Sequence, residues 1–239
     1  MRPETAQELL QLNAQFYQIF AEDFSATRQR LQPGVMSVVE ALPPSANVLD
    51  LGCGNGELAA VLESRGHQGS YLGLDISQEL LQIAGSRDIP FAEFKQADIT
   101  TPDWSKDLPA EGFEYIFCFA AMHHIPGADL RDVLVSQIRK LAAPQGRFIH
   151  SHWQLTNSVK LRSRVQPWDK IGLQESDVDP GDYLMDWRRG GTGYRYVHQF
   201  DNPELRTLAA NHHFKIIGLF TSDGESGNLG LYHIWEPAN

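Results

Sequence analysis

Val48-Leu49-Asp50-Leu51-Gly52-Cys53-Gly54-Asn55-Gly56-Glu57 decides the fold of this 239-residue chain. An apolar run led by a β-branched residue ends in an acid and breaks into glycines at alternate positions. The helical pattern Leu58-Ala59-Ala60-Val61-Leu62 follows at once. This predicts a buried strand, a tight loop and the start of a helix. Glycine removes Cβ and admits φ > 0, so a ligand can lie directly against the backbone. The helix start adds unpaired N–H groups and a positive dipole end, which suit a carboxylate or phosphate.

Outward from that loop, strand and helix patterns alternate. Helices are expected over 4–22 and 34–42, then a strand at 46–51 and a helix at 56–65. A second strand, 70–75, also ends in an acid, and Ser77 is a good N-cap for a helix over 78–86. Strands follow at 91–97 and 113–120, the latter apolar enough to be buried on both faces. A helix over 129–142 leads to a strand at 147–153. A helix over 202–212 and strands at 214–220 and 229–236, with a turn at 223–228, close the chain. Such alternation implies a doubly wound parallel sheet whose ligands bind beyond the carboxyl ends of the strands. Asp50, Asp75, Asp98 and His123 fall at or just after strand ends and should line one crevice. Residues 154–192 are polar and rich in proline and glycine. They read as an insertion or lid, just as residues 1–45 read as an N-terminal helical cap on a single domain spanning 1–239.

With 42% hydrophobic residues the chain can fill one α/β core. No apolar run approaches membrane-spanning length and the N-terminus is polar, so the expected location is the cytoplasm, with no membrane contact. Cys53 and Cys118 lack metal-ligand spacing and are expected as free thiols, and no metal is expected. The net charge is −10. Residues 156–198 are nonetheless net positive by one charge, so a polyanion would meet the protein there.

Asp75 lies about 19 residues past the last glycine, where a carboxylate can accept hydrogen bonds from both hydroxyls of a ribose. The G-x-G-x-G spacing is one residue shorter than a dinucleotide loop and suits a nucleoside with a short charged tail. Val48–Gly56, Gly73-Leu74-Asp75 and Gln96-Ala97-Asp98-Ile99 together resemble the first three motifs of class I S-adenosylmethionine-dependent methyltransferases. The resemblance implies a Rossmann-like, mostly parallel seven-stranded sheet with helices on both faces and the final strand antiparallel. It also implies that Gly52, Gly54 and Gly56 contact the methionine part of S-adenosylmethionine, Asp75 the ribose, and Asp98 with Ile99 the adenine. Tyr17, Arg28, Asp50, Cys53, Ile76, Ala120 and Met122 complete the implied cofactor contacts, and S-adenosylhomocysteine would be the product.

Asn13-x-x-Phe16-Tyr17, Phe24-Ser25-x-Thr27-Arg28, His123-His124 and Arg195-Tyr196-x-His198-x-Phe200 occur in that order around the glycine loop. This set resembles the tRNA (5-carboxymethyluridine) methyltransferases that act on the wobble base, which work with a small zinc-binding activator subunit. A carboxylate acceptor needs no strong base, because it is already ionised at neutral pH. It needs in-line positioning, and arginine's planar fork suits it. Arg28 and Arg195 are the candidates to bind it, with Tyr17, His123, Tyr196 and His198 orienting. Adjacent strand residues point to opposite faces, which disfavours His123-His124 as a metal pair. Lys160, Arg162 and Arg164 read as a solvated face or as phosphate contacts. Trp153, Trp168 and Trp187 read as core or lid packing, or as a stacking platform for a base. The favoured expectation is methylation of a carboxylate on wobble uridine of tRNA. The alternatives are a small-molecule methyltransferase and a non-catalytic binding subunit.

Overall fold

A computed structural model describes residues 1–27, 29–109 and 112–238. Helices α1 (Pro3–Ile19), α2 (Ala21–Ser25) and α3 (Pro33–Glu40) precede β1 (Val48–Leu51). Then come α4 (Glu57–Ser64), β2 (Tyr71–Asp75), α5 (Gln78–Gly85), β3 (Ala92–Gln96) and β4 (Phe113–Phe119). A short turn of 3₁₀ helix (Met122–His124) leads to α6 (Ala128–Leu141) and β5 (Ala142–Trp153). The insertion contains α7 (Val159–Arg162), β6 (Val165–Gln166) and β7 (Asp182–Trp187), and is followed by β8 (Gly193–His198). The chain closes with α8 (Asn202–Asn211), β9 (Phe214–Ser222) and β10 (Gly230–Pro237).

Seven strands form one sheet in the order β3-β2-β1-β4-β5-β10-β9. β1 pairs parallel with β2 and β4, and β4 pairs parallel with β5. Only the last strand, β10, runs antiparallel, between β5 and β9. This is the expected Rossmann-like sheet, and its switch point lies between β1 and β4, where the glycine loop emerges. The strand alternation sends β1 into two cores. Leu49 and Leu51 pack with Leu134, Val135 and Ile138 of α6, while Val48 packs with Val38, Val39, Leu58 and Leu62 of α3 and α4. Each such fully buried aliphatic side chain contributes about 1.5–3 kcal/mol.

Residues 154–192 differ from the irregular lid that their composition suggests. β6, β7 and β8 form a second, antiparallel sheet in which Asp182 pairs with His198 and Trp187 with Gly193. Its pattern is concealed because β7 buries two carboxylates, Asp182 and Asp186, among its apolar residues. This small sheet packs on α1, where Leu9 meets Trp168, Leu173, Leu184 and Tyr196. The buried amide of Asn13 fixes the pair: its Oδ1 accepts the Tyr196 N–H at 2.7 Å, and its Nδ2 donates to the Tyr196 and His124 carbonyls. Helices α1 and α2 and the insertion thus form one layer over the carboxyl ends of the strands. Both cysteines are buried free thiols, and no helix among the described residues is long and apolar enough to cross a membrane.

Candidate active site

The layer encloses a cavity of about 1170 Å³ above the β1–β4 switch point. Ligand pockets run to about 1,000 Å³, so there is room for a cofactor and an acceptor group side by side. Its floor is the glycine loop. Gly52 has φ +77° and sits so close to Ala121 that a Cβ would come within 2.5 Å of that side chain. Gly54, at φ +56°, would place a Cβ in open space, which leaves its backbone bare to a ligand. Asp75 is held by two amides: Gly54 N–H reaches Oδ2 and Ser77 N–H reaches Oδ1, both at 2.9 Å. The remaining lone pairs can accept hydroxyls. Asp98 accepts the Thr100 N–H and hydroxyl on Oδ1 at the end of β3. Asp50 is buried and accepts the Tyr71 hydroxyl at 2.5 Å. Burial pushes its pKa up to about 7, against the lowering effect of that bond. Burial likewise raises the pKa of Asp75, against its amide bonds, and that of the Cys53 thiol.

Of the expected cofactor contacts, Tyr17, Asp50, Gly52, Cys53, Gly54, Asp75, Ile76, Asp98, Ile99 and Ala120 line the cavity. Ala120 does so at φ +52°, an unusual conformation for a residue with a Cβ, just past the end of β4. Two expected contacts lie elsewhere. Gly56 caps α4 from the left-handed region and lies against Ala84 and Phe94, so its missing Cβ serves helix packing. Met122 is fully buried in the core beneath α6. Arg28 lies outside the described residues.

The acceptor end is made by α1, the turn after β4 and β5. Here the histidine pair divides in the opposite sense to expectation. His123 is fully buried against the Trp153 backbone and ring, whereas His124 lines the cavity. Tyr17 Oη and His124 Nε2 are 2.7 Å apart, and His124 Nδ1 is 3.0 Å from the Tyr196 carbonyl. Tyr196 therefore contributes its backbone, while its buried hydroxyl donates to Asp182 at 2.6 Å. His198 lines the cavity, yet both ring nitrogens are engaged: Nδ1 faces Asp182 at 2.7 Å and Nε2 faces Glu204 at 2.9 Å. Burial alone would lower its pKa, but the two carboxylates outweigh that and raise it. It ties β7 to α8.

Arg195 is 95% buried one layer behind the wall, stacked on Trp153 at 4.7 Å, Phe16 at 5.2 Å and Trp187 at 5.7 Å. It also bonds to Tyr17, yet Nε and Nη1 find no hydrogen-bond partner among the described residues. Desolvation lowers its pKa. The sequence signal missed His124, because adjacent residues in a turn carry no periodicity that says which faces the ligand.

Comparison with known proteins agrees with this geometry. Residues 24–217 match the family model described as a methyltransferase domain. The chain is 28% identical over 157 residues to a tRNA (carboxymethyluridine(34)-5-O)-methyltransferase of Macaca fascicularis, covering 64% of this chain and 22% of the relative. It is 46% identical over 65 residues to a trans-aconitate 2-methyltransferase of Deinococcus radiodurans, covering 27% of this chain and 25% of that one. The chain thus spans about a quarter or less of these relatives' lengths. In fold it is similar to a SAM-dependent methyltransferase of Methanosarcina mazei, with a TM-score of 0.66 at 21% identity over 87% of this chain and 99% of the other. A Haloferax volcanii protein solved in complex with the Trm112 methyltransferase activator gives 0.66 at 15% identity, over 93% and 96%.

The bare Gly54 backbone and the Asp75 carboxylate, held by the Gly54 and Ser77 amides, fit a nucleoside with its ribose against β2. No group of side chains among the described residues is arranged to hold a metal ion. The chain belongs to the methyltransferase-domain family, that of an S-adenosylmethionine-dependent methyltransferase.

Proposed function

We propose that this enzyme methylates a carboxylate oxygen, on 5-carboxymethyl wobble uridine in tRNA. The observation that carries the carboxylate is Arg195. A buried cation with two unpaired nitrogens costs several kcal/mol unless an anion completes it. The floor of the cavity is acidic and its acceptor end is backed by this cation, so an anion is favoured at one end only. When bound, S-adenosylmethionine supplies a methyl group activated by the sulfonium. The chain's residues then need only hold the acceptor oxygen in line, because an ionised carboxylate carries its own nucleophilic lone pair. Asp75 and Asp98 hold the nucleoside, and Trp153 and Tyr17 shape the acceptor end. Arg195 backs that end with positive charge, and the Phe24–Arg28 motif assigns Arg28 the same role by resemblance. The order of the Asn13–Tyr17, Phe24–Arg28 and Arg195–Phe200 motifs supports the tRNA acceptor, as does the relative that acts on carboxymethyluridine. A small activator subunit of the Trm112 kind is part of this reading, supported by the fold neighbour solved with one. The second reading, a small free acid, is favoured by the relatives named for trans-aconitate.

The test gives the enzyme two acceptors: an anticodon stem-loop carrying 5-carboxymethyluridine, and trans-aconitate. Methylation of the RNA is expected, falling steeply as salt rises because phosphate contacts release counterions. Arg195→Met is expected to lose most of that turnover while still binding S-adenosylhomocysteine. Salt-insensitive turnover of trans-aconitate alone would transfer the assignment to the second reading.

A further inference from the structure

Asp223 opens the turn between β9 and β10, is 8% exposed and lines the cavity. Its Oδ1 accepts the Gly34 N–H at 2.9 Å and its Oδ2 the Tyr232 hydroxyl at 2.6 Å. Both donors are neutral, and no cation pairs with this carboxylate among the described residues. Three features of the backbone hold it in place. Asp223 sits at φ +70°, a conformation uncommon for a residue with a Cβ and one that gathers at functional sites. Gly230 and Gly34 have no positive φ to account for them. A Cβ on Gly230 would come within 2.5 Å of Asp223 Oδ2, and one on Gly34 within 2.4 Å of the Tyr232 ring. The protons in this wall run one way. Tyr232 gives its single proton to Asp223, so Ser151 donates the further bond at the phenol oxygen, while its own oxygen accepts the Ala120 N–H at 3.2 Å. Tyr232 and Ser151 therefore keep no proton for a ligand. Asp223 keeps lone pairs, because a carboxylate offers about four acceptor sites and the two neutral donors fill only part of them.

Strand order decides which ligand this wall faces. The proposed cofactor contacts Asp98, Asp75 and the glycine loop stand at the ends of β3, β2 and β1. Ser151 pairs with Phe119 of β4 on one side and with Tyr232 of β10 on the other. Tyr232 is thus two strands past β4, on the order of 10 Å, on the side away from the adenosine. We infer that Asp223, set by Tyr232 and Gly34, is a specificity-determining residue that takes an N–H donor of the acceptor and turns away an acceptor with a second carboxylate there. The inference rests on the carboxylate reading and deepens it. The reacting carboxylate belongs with Arg195. A further anion beside Asp223 would meet like charge with no donor between them, which is discrimination by repulsion. A uracil ring substituted at C5 brings one ring donor, its imide N–H, and unpaired bases in RNA are read by hydrogen bonds on that edge. A tricarboxylate such as trans-aconitate brings none at neutral pH.

The experiment measures kcat/KM for the anticodon RNA and for trans-aconitate in the wild type, D223N and Y232F. Affinity for S-adenosylhomocysteine checks that the fold and the cofactor site are intact. The wild type is expected to prefer the RNA. D223N removes the charge but keeps an oxygen for the Gly34 N–H. Its turnover of the RNA should fall by roughly tenfold or more, the loss of a hydrogen bond to a charged group, while its turnover of trans-aconitate rises. Y232F loosens the carboxylate and keeps its charge, so RNA turnover should fall with no gain for trans-aconitate. A wild type that prefers trans-aconitate, or an acceptor ratio unchanged in D223N, overturns the inference and leaves the carboxylate reading intact. If D223N no longer binds S-adenosylhomocysteine, Y232F decides, and undiminished RNA turnover in it overturns the inference. If neither acid reacts with the wild type while S-adenosylhomocysteine still binds, the carboxylate reading falls and this inference falls with it.

Discussion

At the scale of single residues, the proposed cofactor contact most open to test is Asp75, which lines the cavity. Its two oxygens are aligned by the Gly54 and Ser77 amides, so the carboxylate is preorganised for hydroxyls before any ligand arrives. Hydrogen bonds to a charged group are worth about 1.5–3 kcal/mol. Asp75→Ala should therefore weaken S-adenosylhomocysteine binding roughly ten- to hundredfold by calorimetry, and an unchanged affinity would remove Asp75 from the site. The position was legible because an acid closing the second strand can point only to the crevice. Gly54 was legible for the same reason. Gly56 and Met122 were not, since the loop pattern cannot separate a glycine that faces ligand from one that lets Ala84 and Phe94 approach. Nor could the histidine pair be resolved without the 3₁₀ turn that buries His123 and presents His124.

Among the elements, the small sheet β6-β7-β8 determines where the acceptor end sits. Asn13 binds it to α1, and His198 binds it to α8 through Asp182 and Glu204. Because both partners of His198 are carboxylate acceptors, the ring is doubly protonated, and its folded pKa lies above the unfolded one. The stability it contributes is fully present below about pH 6.5 and is lost as pH rises through the folded value. Melting curves should accordingly show a wild-type advantage over His198→Gln that is larger at pH 6 than at pH 9. An advantage that is constant or grows with pH would rule out the imidazolium latch. The seven strands of the main sheet were legible as alternating periodicity bounded by glycine and acids. The second sheet was not, because buried Asp182 and Asp186 owe their place largely to Tyr196, His198 and Gln166, partners on other strands.

Over the whole molecule, charge is arranged rather than merely totalled. The chain is net −10, yet the insertion carries exposed Lys160, Arg162, Arg188 and Arg189, and Arg195 lies buried beside them in β8. Acids ring the cofactor end of the cavity and a cation backs the acceptor end, which suits transfer from a sulfonium to a carboxylate. The most direct measurement supplies S-adenosylmethionine labelled in its methyl group, together with the anticodon RNA or trans-aconitate, and treats the product with mild alkali. An oxygen ester of a carboxylate releases its label as methanol, which is the predicted result. Label that stays bound through alkali would mark methylation at nitrogen, carbon or an ether oxygen, and would contradict the carboxylate assignment.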